Sequence, residues 1–266
     1  MRLCTWNINS VRLRLPLLLR LLDEHAPDVV CLQETKTVDD TFPLRELAER
    51  GYRFAHIHGM KSYNGVAILS RLELGAREVR HWCGREDCRH IATTLPVGPG
   101  IELHNLYIPA GGDVPDPAVN EKFAHKLQFL DEMIRWWPEQ RSPDRPMILV
   151  GDLNIAPLET DVWSHRQLLD VVSHTPVEVE KLTQVQRTLG WVDAVRRFVP
   201  ETEKLYTWWS YRSADWAASD RGRRLDHVWV TPPLAPALAG TTVLREARGW
   251  EPKPSDHVPV LVDFRF

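Results

Sequence analysis

Apolar runs of strand length recur along the chain, and most of them end at a short polar motif. Asp28-Val29-Val30-Cys31-Leu32 runs into Gln33-Glu34, and Met147-Ile148-Leu149-Val150 runs into Gly151-Asp152. Gly65-Val66-Ala67-Ile68-Leu69 follows the turn-like Asn64. The segments from Ile101 to Ile108, Leu225 to Val230 and Val258 to Val262 alternate apolar and polar positions. These patterns predict strands, as does Met1 to Trp6 at the N-terminus. Helical spacing is rarer. The leucine-rich stretch from Leu13 to Leu22 reads as an amphipathic helix with Pro16 in its first turn. Asn120 is placed to cap a helix carrying Phe123, Leu127, Leu130 and Ile134 on one face and stopping before Pro138. Val179, Leu182, Val185 and Leu189 repeat at helical spacing up to a stop at Gly190. Many short strands with interspersed helices predict an α/β (α+β) fold of two packed mixed sheets covered by helices. The loops gathered at one end would carry function.

Composition narrows this picture. The chain has 266 residues, 43% of them apolar, enough for a sizeable core. No Pro- or Gly-rich linker interrupts it, so residues 1–266 read as a single domain. No apolar signal region follows the N-terminal strand, and Arg14, Pro16 and Arg20 break the leucine-rich stretch. A membrane span needs roughly 20 apolar residues, so no membrane partner is expected. Four cysteines give no disulfide framework at this length, which points to a reduced, cytoplasmic setting. His81, Cys83, Cys88 and His90 offer four zinc-type ligands, but their gaps match no common finger, and the segment reads as a polar loop. The net charge of −3 argues against coating a polyanion in bulk. A local basic rim remains compatible with it. Its candidates are Arg12, Arg14, Lys36, Lys61, Lys122, Arg212, Arg221, Arg223 and Arg224. No heptad or apolar stripe demands assembly, so a monomer is expected.

The polar motifs can be read as one phosphodiester-cleaving site. Such a site needs a cation on the phosphate oxygens, a base for water, donors for transition-state charge and a group to steady the leaving oxygen. Glu34, at a strand end, suits a Mg²⁺ ion. Asp152 and Asn154 lie two apart, so in extended chain both leave one face; a plain Asx-turn accounts for the same spacing. Asp226 and His257 can pair, the carboxylate fixing the imidazole tautomer and favouring its cation. Tyr107 can donate to a phosphate oxygen. Asn7 and Asn9 alternate on the first strand, and Trp208 is the tryptophan whose polar setting suggests a role outside the core.

The ordered set of motifs, from Trp6-Asn7-Ile8-Asn9 to Lys253-Pro254-Ser255-Asp256-His257, resembles the exonuclease III family of DNA-repair nucleases. That family lies within the endonuclease/exonuclease/phosphatase superfamily with the DNase I-like fold. The resemblance implies a four-layer sandwich of two mixed sheets flanked by helices. It implies Glu34 as principal Mg²⁺ ligand (Mn²⁺ substituting), with Asn7, Asp152, Asn154 and Asp256 in the metal network. It implies Tyr107, Asp152, Asn154, Asp226 and His257 as catalytic. Arg12, Lys36, Lys122, Trp208, Arg223 and Leu225 would hold double-stranded DNA with abasic sites or 3′ ends. The expected activities are abasic-site incision, 3′-phosphatase or 3′-end cleaning, and 3′-to-5′ exonuclease action. Arg223 stands where some relatives have an apolar or aromatic residue, and Ala110 replaces an amide. The loop from Trp163 to Val177, with His165 and His174, also departs from better-known members. Two alternatives remain at this stage: a phosphoesterase of the same fold acting on a lipid or inositol phosphate, and a non-catalytic nucleic-acid-binding module.

Overall fold

The computed structural model describes residues 1–266. Its strands are, in chain order, β1 (Arg2–Asn7), β2 (Val29–Gln33), β3 (Phe54–His58), β4 (Val66–Ser70), β5 (Glu78–Val79), β6 (His90–Leu95) and β7 (Ile101–Tyr107). They continue with β8 (Met147–Asp152), β9 (Val192–Asp193), β10 (Trp208–Trp209), β11 (Gly222–Arg223), β12 (Asp226–Val230), β13 (Leu238–Val243) and β14 (Val260–Phe264). Two six-stranded mixed sheets result. One runs β13-β14-β1-β2-β4-β3 and the other β5-β6-β7-β8-β12-β9. A two-stranded ribbon, β10-β11, stands apart.

The sheets pack face to face. Leu3, Val29, Cys31, Val66 and Ile68 of the first meet Leu103, Ile148, Val150 and Val228 of the second. The opposite faces are also covered. Cys4, Val30, Leu32 and Leu69 lie under Leu17, Leu18, Leu21 and Leu22 of the helix Leu15–His25. Leu106, Leu149 and Trp229 lie under the helices Glu121–Gln140 and Pro176–Thr188. Strands covered on both sides read as continuous apolar runs, which is why β2 and β8 are so plain in the sequence. Each fully buried Val or Leu contributes about 1.5–3 kcal/mol relative to exposure.

Several elements differ from the sequence expectation. The long helix does not stop before Pro138 but carries it in the last turn and ends at Gln140. Trp136 and Trp137 are packed beneath that turn, and the Arg141 amide bonds the Trp137 carbonyl at 2.9 Å, so packing outweighs the one bond proline removes. Its buried seam is Phe123, Lys126, Phe129, Leu130 and Met133, with Leu127 and Ile134 only partly covered. A buried lysine at the second position hid that seam. The alternating β7 and β12 are buried on both faces. Their polar side chains are satisfied within the core: Asn105 donates to the Leu32 and Ala67 carbonyls across the sheet interface, and His104 bonds Glu102. His90 opens β6 rather than sitting in a loop, and both its ring nitrogens are engaged, with Trp82 at 3.2 Å and His104 at 3.0 Å. No helix is long and apolar enough to cross a membrane.

Candidate active site

Strand register builds the floor of the site. Tyr107 is the last residue of β7 and stands beside Asp152, the last of β8. Asp152 stands opposite Asp226, the first of β12. In the other sheet Asn7 ends β1 beside Gln33, with Glu34 one residue on. Five strand ends from two sheets therefore deliver their polar termini to one edge, where rigid ladders hold them. Just beyond the ladders the backbone becomes unusual. Asn9, Ser10, Glu34, Lys36 and Asn154 all have positive φ, between 48° and 88°. Such backbone is costly for residues other than glycine and persists where its surroundings fix it. Here the Ser10 amide bonds the Glu34 carbonyl at 2.7 Å and the Lys36 amide bonds the Asn64 carbonyl at 2.9 Å. Gly151 has φ of 143°, and a Cβ there would come within 1.8 Å of the Leu106 carbonyl oxygen, so only glycine fits.

A chain of side chains follows, joined by hydrogen bonds and, between Asp152 and His257, by charge alone. The Tyr107 hydroxyl donates to Glu34 Oε1 at 2.8 Å. Asn7 Nδ2 donates to Glu34 Oε1 at 2.9 Å and to Asp152 Oδ2 at 2.8 Å. His257 Nε2 lies 3.6 Å from Asp152 Oδ2, and its Nδ1 lies 2.8 Å from Asp226 Oδ2. Thr207 also donates to Asp226 Oδ2, at 2.6 Å. Asn154 joins Asp152 through a turn rather than through strand pleat. Its amide bonds Asp152 Oδ1 at 2.9 Å and its Nδ2 reaches Asp152 Oδ2 at 3.2 Å. Asn9 likewise lies past the end of β1, so its closeness to the site owes nothing to alternation with Asn7. Asp152 and Asn154 thus form the Asx-turn that their spacing also allowed, and Asn7 and Asn9 are joined in the same way rather than by alternation along a strand.

Burial and charge set the protonation states. Burial disfavours the charged form of His257, but the carboxylates of Asp226 and Asp152 overcome it and raise the pKa to about 10. The ring is thus a cation at neutral pH. Burial raises Asp152 to about 7, opposed by the His257 cation and the Asn7 amide and reinforced by Asp226 and Glu34. Glu34 is buried too, yet the Lys36 ammonium and the donors Asn7 and Tyr107 hold it below the usual carboxylate range. Burial, with Glu34 and Asp152 nearby, pushes the Tyr107 phenol well up, so it remains a donor.

The residues fit a hard divalent cation on one side of the site. Lys36 Nζ is 2.8 Å from Glu34 Oε2 and 2.6 Å from Asn9 Oδ1, and Asn9 Nδ2 is 3.1 Å from Asp256 Oδ1. Positive charge is therefore already drawn to Glu34, and Asn9 links that ion pair to Asp256, so the groups gathered there offer oxygen ligands. Asp152, Asp226 and His257 also present ligand atoms within 4.8 Å of one another. A protonated imidazole that donates to Asp226 is a poor ligand, which leaves the carboxylates as the groups suited to a cation, Glu34 with Asn7 beside it among them.

A cleft of about 950 Å³ opens above this floor, lined by Glu34, Asn154, Trp208, Arg223, Asp256 and His257 among others. Leu225 lies in its wall. Trp208 belongs to the ribbon rather than to a loop: it pairs with Arg223 and bridges to His257. Its Nε1 donates to Asp256 Oδ2 at 3.0 Å. Lys122 is not in this cleft but lines a neighbouring one of about 600 Å³, which reaches Tyr107 and shares Ala110 and Gly112 with the first. Arg12 is exposed and lines neither. Two expected rim residues are buried braces instead. Arg224 is 1% exposed between Asp161 and Asp193, and Arg14 bonds the Asn9 and Pro254 carbonyls and the Tyr211 hydroxyl. His174 does not enter the cleft: it is buried on the Ala156 carbonyl and on His165.

Sequence reasoning missed Lys126, Glu178 and Thr207. Lys126 and Glu178 form an ion pair at 2.5 Å with neither side chain exposed. Lys126 also donates to the Asn154 carbonyl at 2.8 Å and the Ala110 carbonyl at 3.2 Å. Glu178 accepts from the Ser173 and Thr175 amides. The only sequence signal was a lysine on an apolar helical seam, legible once the seam is drawn through Phe123, Phe129 and Met133.

Comparison with known proteins matches this arrangement. Residues 4–257 match the model of the Endonuclease/Exonuclease/phosphatase family. Exodeoxyribonuclease III of Haemophilus influenzae is 29% identical over 273 residues, with both chains fully covered. The exodeoxyribonuclease of Bacillus subtilis is 28% identical over 98% of each chain. Among solved structures, an AP endonuclease from Archaeoglobus fulgidus superposes with a TM-score of 0.91 at 30% identity, covering both chains fully. A 3′ phosphatase from Neisseria bound to a product DNA hairpin does so with a TM-score of 0.89 at 31% identity, again over both full chains.

Proposed function

The chain belongs to the endonuclease/exonuclease/phosphatase family, and from that premise we infer that it is a DNA-repair nuclease of exonuclease III type. Relatives of full length at 28–31% identity are named as exodeoxyribonucleases, an AP endonuclease and a 3′ phosphatase. Its substrates are double-stranded DNA with abasic sites or 3′ ends, including 3′-phosphates. It acts as one domain and as a monomer, in the cytoplasm. The observation that carries this reading is the chain of contacts Tyr107–Glu34–Asn7–Asp152–His257–Asp226, whose members Glu34 and His257 open onto the cleft.

The roles follow from geometry and charge. Glu34, with Asp256 and Asn7, would hold Mg²⁺, for which Mn²⁺ would substitute. When bound, the ion supplies Lewis-acid neutralisation of a phosphate oxygen. Asp152, with its pKa near 7, is poised to take a proton from water. Asn7 and Asn154 orient its carboxylate. His257, held cationic by Asp226, presents Nε2–H to the charge that develops on phosphorus-bound oxygens. Tyr107 provides a second neutral donor. Water thereby attacks phosphorus in line as the P–O3′ bond breaks, and a 3′-hydroxyl remains. Arg12, Lys36 and Lys122 meet DNA through phosphates, so binding is sensitive to salt and little concerned with base identity.

The test uses abasic, 3′-phosphate and recessed-3′ duplexes, with and without Mg²⁺. Cleavage of the small esters of inositol or lipid phosphates in preference to all three duplexes would move the reading to the other phosphoesterases of this fold.

A further inference from the structure

Three arginines line the cleft. Arg212 and Arg221 are exposed, and Arg223 alone is partly buried. Its Nη1 donates to the Val172 carbonyl at 3.0 Å and to Ser173 Oγ at 2.8 Å. Its guanidinium carbon lies 5.2 Å from the Trp208 ring centre, within cation–π range. No carboxylate pairs with it. The acid whose charge reaches it, Glu178, is already engaged by Lys126. Burial draws its pKa below the usual value, yet a guanidinium stays charged in a protein. An unpaired cation held out of water is costly unless something pairs with it. In the ribbon, Arg223 is the direct partner of Trp208, which bridges to His257. The unpaired cation therefore stands in the cleft wall, joined to His257 through Trp208.

We propose that Arg223 makes this pocket a receptor for a terminal anion at a DNA 3′ end, phosphate or carboxylate, in preference to the uncharged sugar of an abasic site. This rests on the nuclease reading above. One water is consumed: its oxygen bonds to phosphorus, the P–O3′ bond breaks with its electron pair passing to O3′, and O3′ takes up a proton. A 3′-phosphate yields a 3′-hydroxyl and inorganic phosphate. A 3′-phosphoglycolate yields a 3′-hydroxyl and phosphoglycolate. In the first case the group facing Arg223 is a bare phosphate oxygen, in the second a carboxylate. A deoxyribose in the same place offers the guanidinium no charge.

The experiment compares kcat/KM on three duplexes of one sequence: one ending in 3′-phosphate at a gap, one in 3′-phosphoglycolate, and one with an internal tetrahydrofuran abasic analogue. The full chain is used, as wild type, Arg223→Leu and Arg223→Gln. Losing a charged hydrogen bond corresponds to roughly ten- to hundredfold. That loss is expected on the anionic ends for both variants, with the tetrahydrofuran duplex unchanged or cut faster. Glutamine can still donate to Val172 and Ser173, so it carries the test if the leucine variant fails to fold. Loss on one anionic end alone identifies which anion is recognised. An equal loss on all three duplexes would mean that Arg223 only braces the wall, and no change on any would mean that it does neither; both overturn the proposal. A wild type that cleaves none of the three would overturn the nuclease reading with it.

Discussion

The floor and the wall of the cleft are built by different means. The floor is made of strand ends: Tyr107, Asp152 and Asp226 adjoin in one ladder, and Asn7 with Glu34 comes from the facing sheet. Its groups are buried and bonded to one another, so each has little freedom. The wall is made of turns and a two-stranded ribbon: Trp163, Val172 and Ser173 lie in turns, and Trp208 and Arg223 face each other in the ribbon. Its side chains are held by one or two hydrogen bonds and by stacking, as with Arg221 over Trp163 at 4.7 Å. The difference separates two tasks. Ladders fix the chemistry, whereas loops can change which group is admitted without disturbing it.

The largest expected effect lies where the two regions are bolted together. Lys126 ties the catalytic turn, through the Asn154 carbonyl, to Glu178 and so to Ser173 of the wall. Lys126→Met leaves a buried carboxylate without its partner and should destabilise by about 3–5 kcal/mol, read by chemical denaturation. A change under about 1 kcal/mol would show that floor and wall are held independently. On the floor, His257→Ala should lower kcat by about 10²–10³-fold, the scale for removing one transition-state charge stabiliser. Asp152→Asn should cost at least about a hundredfold, with the melting curve little changed. A near-native rate in either would break the division of labour.

Asp226→Asn sharpens it through pH. The wild-type imidazole keeps its proton up to about pH 10, because Asp226 and Asp152 raise its folded pKa above 6.5. Its stabilising contribution is complete below the unfolded pKa and is lost as pH rises through the folded one. Without Asp226 the folded pKa falls, so the alkaline limb of the pH–rate profile should move to lower pH. A limb that stays in place would assign the pairing no catalytic part. The smallest effects belong to the outlying cations. Arg12→Ala and Lys122→Ala should each weaken binding severalfold, evenly across sequences, and flatten the log-affinity against log-salt slope by about one.

How much was legible in the sequence follows the same division. β2 and β8 announced themselves as apolar runs because both their faces are covered, and their polar ends marked the floor. Periodicity gave the positions of Glu34 and Asp152, but not their meeting, which arises from pairing between segments far apart in the chain. The positive φ of Glu34 was invisible because glutamate gives no sign of it, whereas asparagine at 154 was compatible with the turn it forms. The wall was the least legible. Arg224 and Arg14 looked like rim charges, yet three-dimensional partners bury them, and Arg223, one residue from Arg224, is the one that lines the cleft. Single-residue charge carries no sign of which neighbour it will find.

The central claim is that Glu34, Asp152, Asp226 and His257 form one cation-supported phosphodiester site. The most direct measurement is single-turnover cleavage of an abasic or 3′-phosphate duplex by the purified chain, before and after exhaustive chelation. Cleavage that leaves a 3′-hydroxyl, stops on chelation and returns with Mg²⁺ or Mn²⁺ is the predicted result. Cleavage undiminished by chelation, or none with either ion, would contradict it.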